Sequence, residues 1–181
     1  MTLTDLTLTL VEIKKEFSLV GVKIELEYFD CGEGTPAELN VNKREGKFII
    51  YCWRTISQYG KEIVLRHECV HISDILDSHF GYDLEYLESG TDPQKILKIK
   101  LLMLFWDISI VFELEKRGFS DPETIEKRVK GFKDHVLKDS FNFNDDFNNE
   151  IMLIKTLRHN SALTFNEMKK MADKFFIVAL N

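Results

Sequence analysis

The chain has 181 residues, 44% of them hydrophobic and 30% charged, with a formal net charge of −6. That length suffices for a single domain, 1–181, with a real hydrophobic core. The composition excludes a disordered chain, and the acidic balance argues against a nucleic-acid partner, because phosphate recognition needs a basic face. The three cysteines, Cys31, Cys52 and Cys69, are too few and too odd for a disulfide framework. They form no C-x-x-C pair, so a thiolate zinc site is not expected. The opening "MTLTDLTLTL" has no basic n-region and does not read as a signal peptide. The expectation is a cytoplasmic protein.

In chain order, Leu6, Leu10, Ile13 and Phe17 stand at helical spacing and predict a helix over 4–17. "VKIELEYF" (22–29) alternates apolar and charged residues and predicts a half-buried strand. "CGEGTP" (31–36) reads as a loop. "ELNVN" and "KFIIYCWR" around "KREG" read as a hairpin. A helix then runs from Gly60 to about Phe80, with Gly81 just past its end. Asp92 and Pro93 form an N-cap and N1 pair that opens a long helix closed by Gly118. Its apolar stretch 96–114 is interrupted by Lys98, Lys100, Asp107 and Glu113, so it predicts a core helix rather than a membrane span. "SDPE" (120–123) and "TFNE" (164–167) are capping boxes that open helices near 121–138 and 165–178. "NNEIMLIKTLRHN" is a further helix, and "KDSFNFNDDFN" (138–148) reads as a loop in which "FNFNDDF" could serve as a lid. The pattern is one helix, three strands and five helices.

The chemistry sits in "IVLRHECVHISDIL" (63–76). His67 and His71 are four apart, so they lie about 40° from each other around a helix, one turn of rise apart, and can grip one ion. Glu68 points about 100° from His67: near enough to take a proton from a water acidified by the metal, but not placed to complete the coordination. A random chain of this composition carries H-E-x-x-H roughly once in eighty. Ile63, Val64, Leu65, Ile72, Ile75 and Leu76 surround the motif, where two histidines and a glutamate would be expensive without partners. A histidine pair bonded to backbone or carboxylate inside a core is the plain structural alternative.

On "HECVH" and the "KFIIYCWR" strand before it, the sequence resembles the zincin superfamily of zinc metallopeptidases, of the small intracellular type. The resemblance implies an α+β zincin-like fold: a small antiparallel or mixed sheet whose edge strand, "KFIIYCWR", packs on the H-E-x-x-H helix, and a mostly helical C-terminal half. It further implies Zn2+ on His67 and His71, Glu68 as general base, and a peptide or protein substrate. A non-catalytic regulatory or binding protein that keeps the fold and a structural metal is the alternative class.

A catalytic zinc needs a third protein ligand. Metzincins extend the motif by x-x-G-x-x-H, and here Asp74 stands at the glycine position and Asp77 at the last. If the helix runs on through "ISDILDSHF", Asp77 points about 280° around from His67. "SGTDPQ" (89–94) is similar to a downstream aspartate motif of another zincin group, but Asp92 reads better as a cap. Gluzincins place an acid on the next long helix, which offers Asp107 and Glu113. With Lys98 at 0°, Glu113 falls near 60° with the polar residues. Asp107 falls near 180°, among Met103, Leu104, Ile110, Val111 and Leu114. An acid at the centre of an apolar face must be paired or metal-bound. Asp107 is therefore the expected third ligand, with Asp77 and Glu113 as rivals and His79, Glu85, Glu88 and Asp92 behind them. Asp74 could orient His71 or be solvated. Cys69 reads as packing. His135, His159, Tyr82 and Tyr86 could each donate a hydrogen bond to a transition state, and no pattern selects among them.

Overall fold

In a computed structural model the chain is described over residues 3–29, 37–42, 46–53, 58–90, 92–120, 124–134 and 145–179. The described elements are α1 (Leu3–Glu16), β1 (Lys23–Phe29), β2 (Ala37–Asn42), β3 (Lys47–Trp53), α2 (Gln58–Leu76), α3 (Leu84–Glu88), α4 (Pro93–Lys116), α5 (Ile125–Phe132), α6 (Asp145–His159) and α7 (Phe165–Ala179). This is an α+β architecture, mostly helical, with one small mixed sheet. Two compact units divide it, Met1–Leu76 and Asp77–Asn181.

The first unit holds the sheet, α1 and α2. Leu6, Leu10 and Ile13 of α1 are buried at the predicted spacing, and Phe17 and Leu19 follow them into the core. Strands β2 and β3 pair antiparallel, with Asn42 opposite Lys47, as the hairpin reading requires. Strand β1 pairs parallel to β3, with Lys23 opposite Lys47 and Phe29 opposite Trp53. The strand order is β1-β3-β2, which corrects the expectation that β3 is an edge strand. The reason lies in its side chains. Phe48, Ile49 and Ile50 are buried in succession, so both faces of β3 are covered. An unbroken apolar run of this kind belongs to an interior strand, while the alternating pattern of "KIELEYF" belongs to a half-exposed edge. Helix α2 packs on β3, β2 and α1.

Helix α2 ends at Leu76, several residues before the predicted end near Phe80. Asp77 breaks it: its Oδ1 accepts the backbone N–H of His79 at 2.9 Å, a local turn that competes with the helical ladder. Gly81 then takes φ +70, open to glycine without strain.

The second unit is built around α4. Asp92 caps it by accepting from Lys95 N–H at 2.9 Å, with Pro93 in the first turn, as predicted. Gly118, at φ +83, closes it. Helices α5, α6 and α7 all pack on α4, so Leu101, Leu102, Phe105, Trp106, Ile108 and Ile110 are buried around most of its circumference. Helix α3 was not predicted. Asp83 caps it by accepting from Tyr86 N–H at 2.9 Å. The cap of α5 is Thr124, not the "SDPE" box, of which residues 121–123 lie outside the described residues. Thr164 caps α7 as predicted, accepting from Glu167 N–H. Residues 145–148 of the predicted loop are instead the first turn of α6, because Phe147 is buried against Phe105, ring centroids 5.7 Å apart. The rest of that loop, 138–144, lies outside the described residues. Among the described residues, no helix is long and apolar enough to cross a membrane.

Leu102 lies in the most enclosed part of α4. Leu102→Ala is expected to lower unfolding free energy by about 2–5 kcal/mol, read as a fall in the urea midpoint at unchanged slope. Met152→Ala, at an exposed position of α6, should stay within about 0.5 kcal/mol of the parent.

Candidate metal centre

Helix α2 presents the H-E-x-x-H residues in the middle of its length. Their neighbours Ile63, Leu65, Cys69, Val70 and Ile72 are almost fully enclosed. The motif residues themselves are 7% (His67), 7% (Glu68) and 6% (His71) exposed, so all three polar groups have left bulk water. The imidazole rings of His67 and His71 lie 5.0 Å apart by centroid, with planes inclined at 67°. Ring nitrogens bind zinc at about 2.0–2.1 Å, and two rings at this separation can direct one nitrogen each at a common ion. On spacing, burial and donor type the pair fits a divalent metal. Arg66, next to His67, is tied away from the motif by Glu16 at 3.2 Å and Glu62 at 3.8 Å.

The carboxylate of Asp74 is also buried, at 7% exposure. The solvated alternative for this residue is thereby removed. The Glu68 charge is felt at two thiols of the same unit. Burial first, and then Glu68, pushes Cys52 up from 9.0 to about 12, and the same two causes push Cys69 up to about 12. Both therefore stay neutral at physiological pH. A neutral thiol is a poor nucleophile and a poor metal ligand, which supports the packing reading of Cys69. Cys31 lies outside the described residues.

The rival carboxylates sort themselves by their partners. Asp77 is exposed and holds its own turn. Asp92 caps α4. Each oxygen of Glu113 faces a guanidinium, Arg117 at 2.7 Å and Arg158 at 3.5 Å, and its side chain is only 13% exposed. Glu113 thus has a structural role between α4 and α6, and its i, i+4 spacing to Arg117 made half of this pairing legible. Glu85, Glu88 and His79 are exposed.

Asp107 belongs to the second unit. The helical wheel placed it at the centre of an apolar face, and this is corrected: its side chain is 33% exposed and Arg128 of α5 lies 3.7 Å away. Ser109, which falls near 20° on the same wheel and so on its polar side, is fully buried and donates from Oγ to the carbonyl of Trp106 at 2.7 Å. The wheel fails because α4 is covered from several sides, so no single face is apolar. Arg128 is a partner that the sequence does not reveal, since nothing in spacing links two residues on different helices.

Of the candidate donors, Tyr82 and Tyr86 join an aromatic cluster of the second unit. Tyr82 lies 5.5 Å from Trp106 and 5.6 Å from Phe165 by centroid, and burial raises its hydroxyl to about 12. The ammonium of Lys169 sits 3.9 Å over the Tyr86 ring, and burial likewise raises the Tyr86 hydroxyl. Both are packing residues by these contacts. His159 is exposed, and its carbonyl accepts from Lys116. His135 lies outside the described residues.

No protein-family model, curated protein or solved structure matches this chain.

The raised Cys52 has a consequence for alkaline stability. The unfolded thiol ionises from about pH 9 and the folded one only near 12, so above pH 9 the folded state holds the extra proton and stability falls as pH rises. A urea midpoint followed from pH 8 to pH 11 should decline, and Cys52→Ala should make the decline shallower while Cys69, raised in the same way, keeps its share. In the native protein at pH 8, iodoacetamide should modify Cys52 at under about a hundredth of the rate in the denatured chain.

Proposed function

We propose that this chain is a zinc metallopeptidase of the zincin type, hydrolysing peptide bonds of a peptide or protein substrate in the cytoplasm. The observation that carries the reading is the burial of His67, Glu68 and His71 together on α2, with the two rings 5.0 Å apart. His67 and His71 would hold the metal. Asp107 is the proposed third ligand, and two imidazoles with one carboxylate form a donor set that could hold a metal ion.

Zinc, when bound, supplies a Lewis acid that lowers the pKa of a water and polarises a carbonyl. The chain's own part is positioning and proton transfer. The imidazoles are held on a rigid helix, which fixes the direction of their nitrogens better than a loop would. Glu68 follows His67 directly and is turned about 100° from it, so it can stand beside the ligands without being one. Its carboxylate accepts the proton that the attacking water loses and delivers it to the leaving amine. Burial of Glu68 keeps bulk water from competing for that transfer.

Purified protein should carry near-stoichiometric zinc by elemental analysis, and a His67→Ala, His71→Ala double variant should carry none. Glu68→Gln should retain zinc and fold normally while losing activity on a peptide library by about 10²–10⁴. Asp107→Asn should weaken zinc affinity by more than Glu113→Gln or Asp77→Asn. Arg128→Met separates the two roles open to Asp107: if its carboxylate serves only the ion pair, Asp107→Asn and Arg128→Met should cost similar stability and leave zinc affinity alone. Full zinc with no cleavage across a broad library would favour the alternative, a binding protein with a structural metal.

A further inference from the structure

Helix α2 carries one more buried polar residue, and it lies in line with the histidines. Asp74 is three residues beyond His71 and seven beyond His67. Around a helix these steps place it about 60° from the first and about 20° from the second, so His67, His71 and Asp74 form one polar row along the helix. Side chains on a helix lean towards its N-terminus. The carboxylate of Asp74 therefore leans back over the turn that holds His71, just as His71 leans towards His67. Seven residues of rise, about 10.5 Å, separate the Cα atoms of Asp74 and His67, too far for both to bind one ion comfortably. The distance to His71 is one turn.

A carboxylate that is 7% exposed needs a charged or hydrogen-bonding neighbour to be tolerated. An imidazole that binds a metal through one nitrogen has an N–H on the other that needs an acceptor. We infer that Asp74 is a positioning residue for His71: its carboxylate accepts the ring N–H turned away from the metal, selects one tautomer and fixes the ring's orientation. The inference rests on the reading of His67 and His71 as metal ligands. It assigns Asp74 no contact with metal or substrate.

The test uses the full chain as wild type, Asp74→Asn, Asp74→Ala, and Asp77→Asn as an exposed acidic control. Zinc affinity is measured by competition with a chromophoric chelator. The tautomer of His71 in metal-free protein is read at pH 8 from long-range ¹H–¹⁵N correlations. The expected result is a single dominant His71 tautomer in wild type, a mixed population in Asp74→Asn, and zinc binding about 10–100-fold weaker in Asp74→Asn, with Asp77→Asn like wild type in both. Asn preserves the shape, so it answers the question even if Asp74→Ala unfolds. An unchanged tautomer and unchanged zinc affinity in Asp74→Asn overturn the inference, as does a stability loss with no tautomer change. If wild type takes up no zinc, the metal reading fails, and the tautomer measurement still decides whether Asp74 orients His71.

Discussion

Helix α2 carries two imidazoles and two carboxylates with almost no access to bulk water, and much of the first unit is arranged around that burden. Removing such groups from water costs several kcal/mol for each one that stays charged and unsatisfied. A helix that only needed to fill space between a sheet and α1 could have used leucine at all four positions, as it does with Ile63, Leu65 and Ile72. The polar residues instead fall within one stretch of helix, 67 to 74, where the two rings lie 5.0 Å apart. Clustering of this kind lets the groups serve one another and a shared ligand, which is how buried polar sets are made tolerable.

The sheet supplies the rigidity behind that row. Strand β3, paired on both sides and covered on both faces, cannot shift without breaking two ladders, and α2 packs directly on it. The neutral thiols of Cys52 on β3 and Cys69 on α2 both register the Glu68 charge, so its carboxylate lies near the contact of strand and helix.

In the second unit the acids on α4 illustrate how partners decide roles. Glu113 and Asp107 are six residues apart on the same helix. Glu113 is enclosed and held by two arginines. Asp107 is more open, with the Arg128 guanidinium at 3.7 Å, a separation at which a surface pair contributes little to stability. Glu113 is thus the more enclosed of the two, the reverse of the burial that helical angle alone suggested.

The sequence by itself determined the type of each described element except the short α3, the caps of α4 and α7, and the spacing of the motif. Asp92–Pro93, Thr164 and the alternation in "KIELEYF" act through neighbours within a few residues, so their outcome is local. The same holds for His67, Glu68 and His71, whose mutual placement follows from helical pitch. Local chemistry also overruled periodicity at Asp77, where an aspartate side chain captured a backbone N–H and ended α2 early. The tertiary structure alone decided which strand is central, which residues of α4 are enclosed, and which carboxylate meets which arginine. Each of those depends on what packs against an element from another part of the chain. The run Phe48–Ile49–Ile50 hinted at burial on both faces, but only the parallel pairing with β1 gave that burial its second neighbour. The 3.6-residue wheel of α4 assumed one apolar side, and three helices packed on it removed that premise.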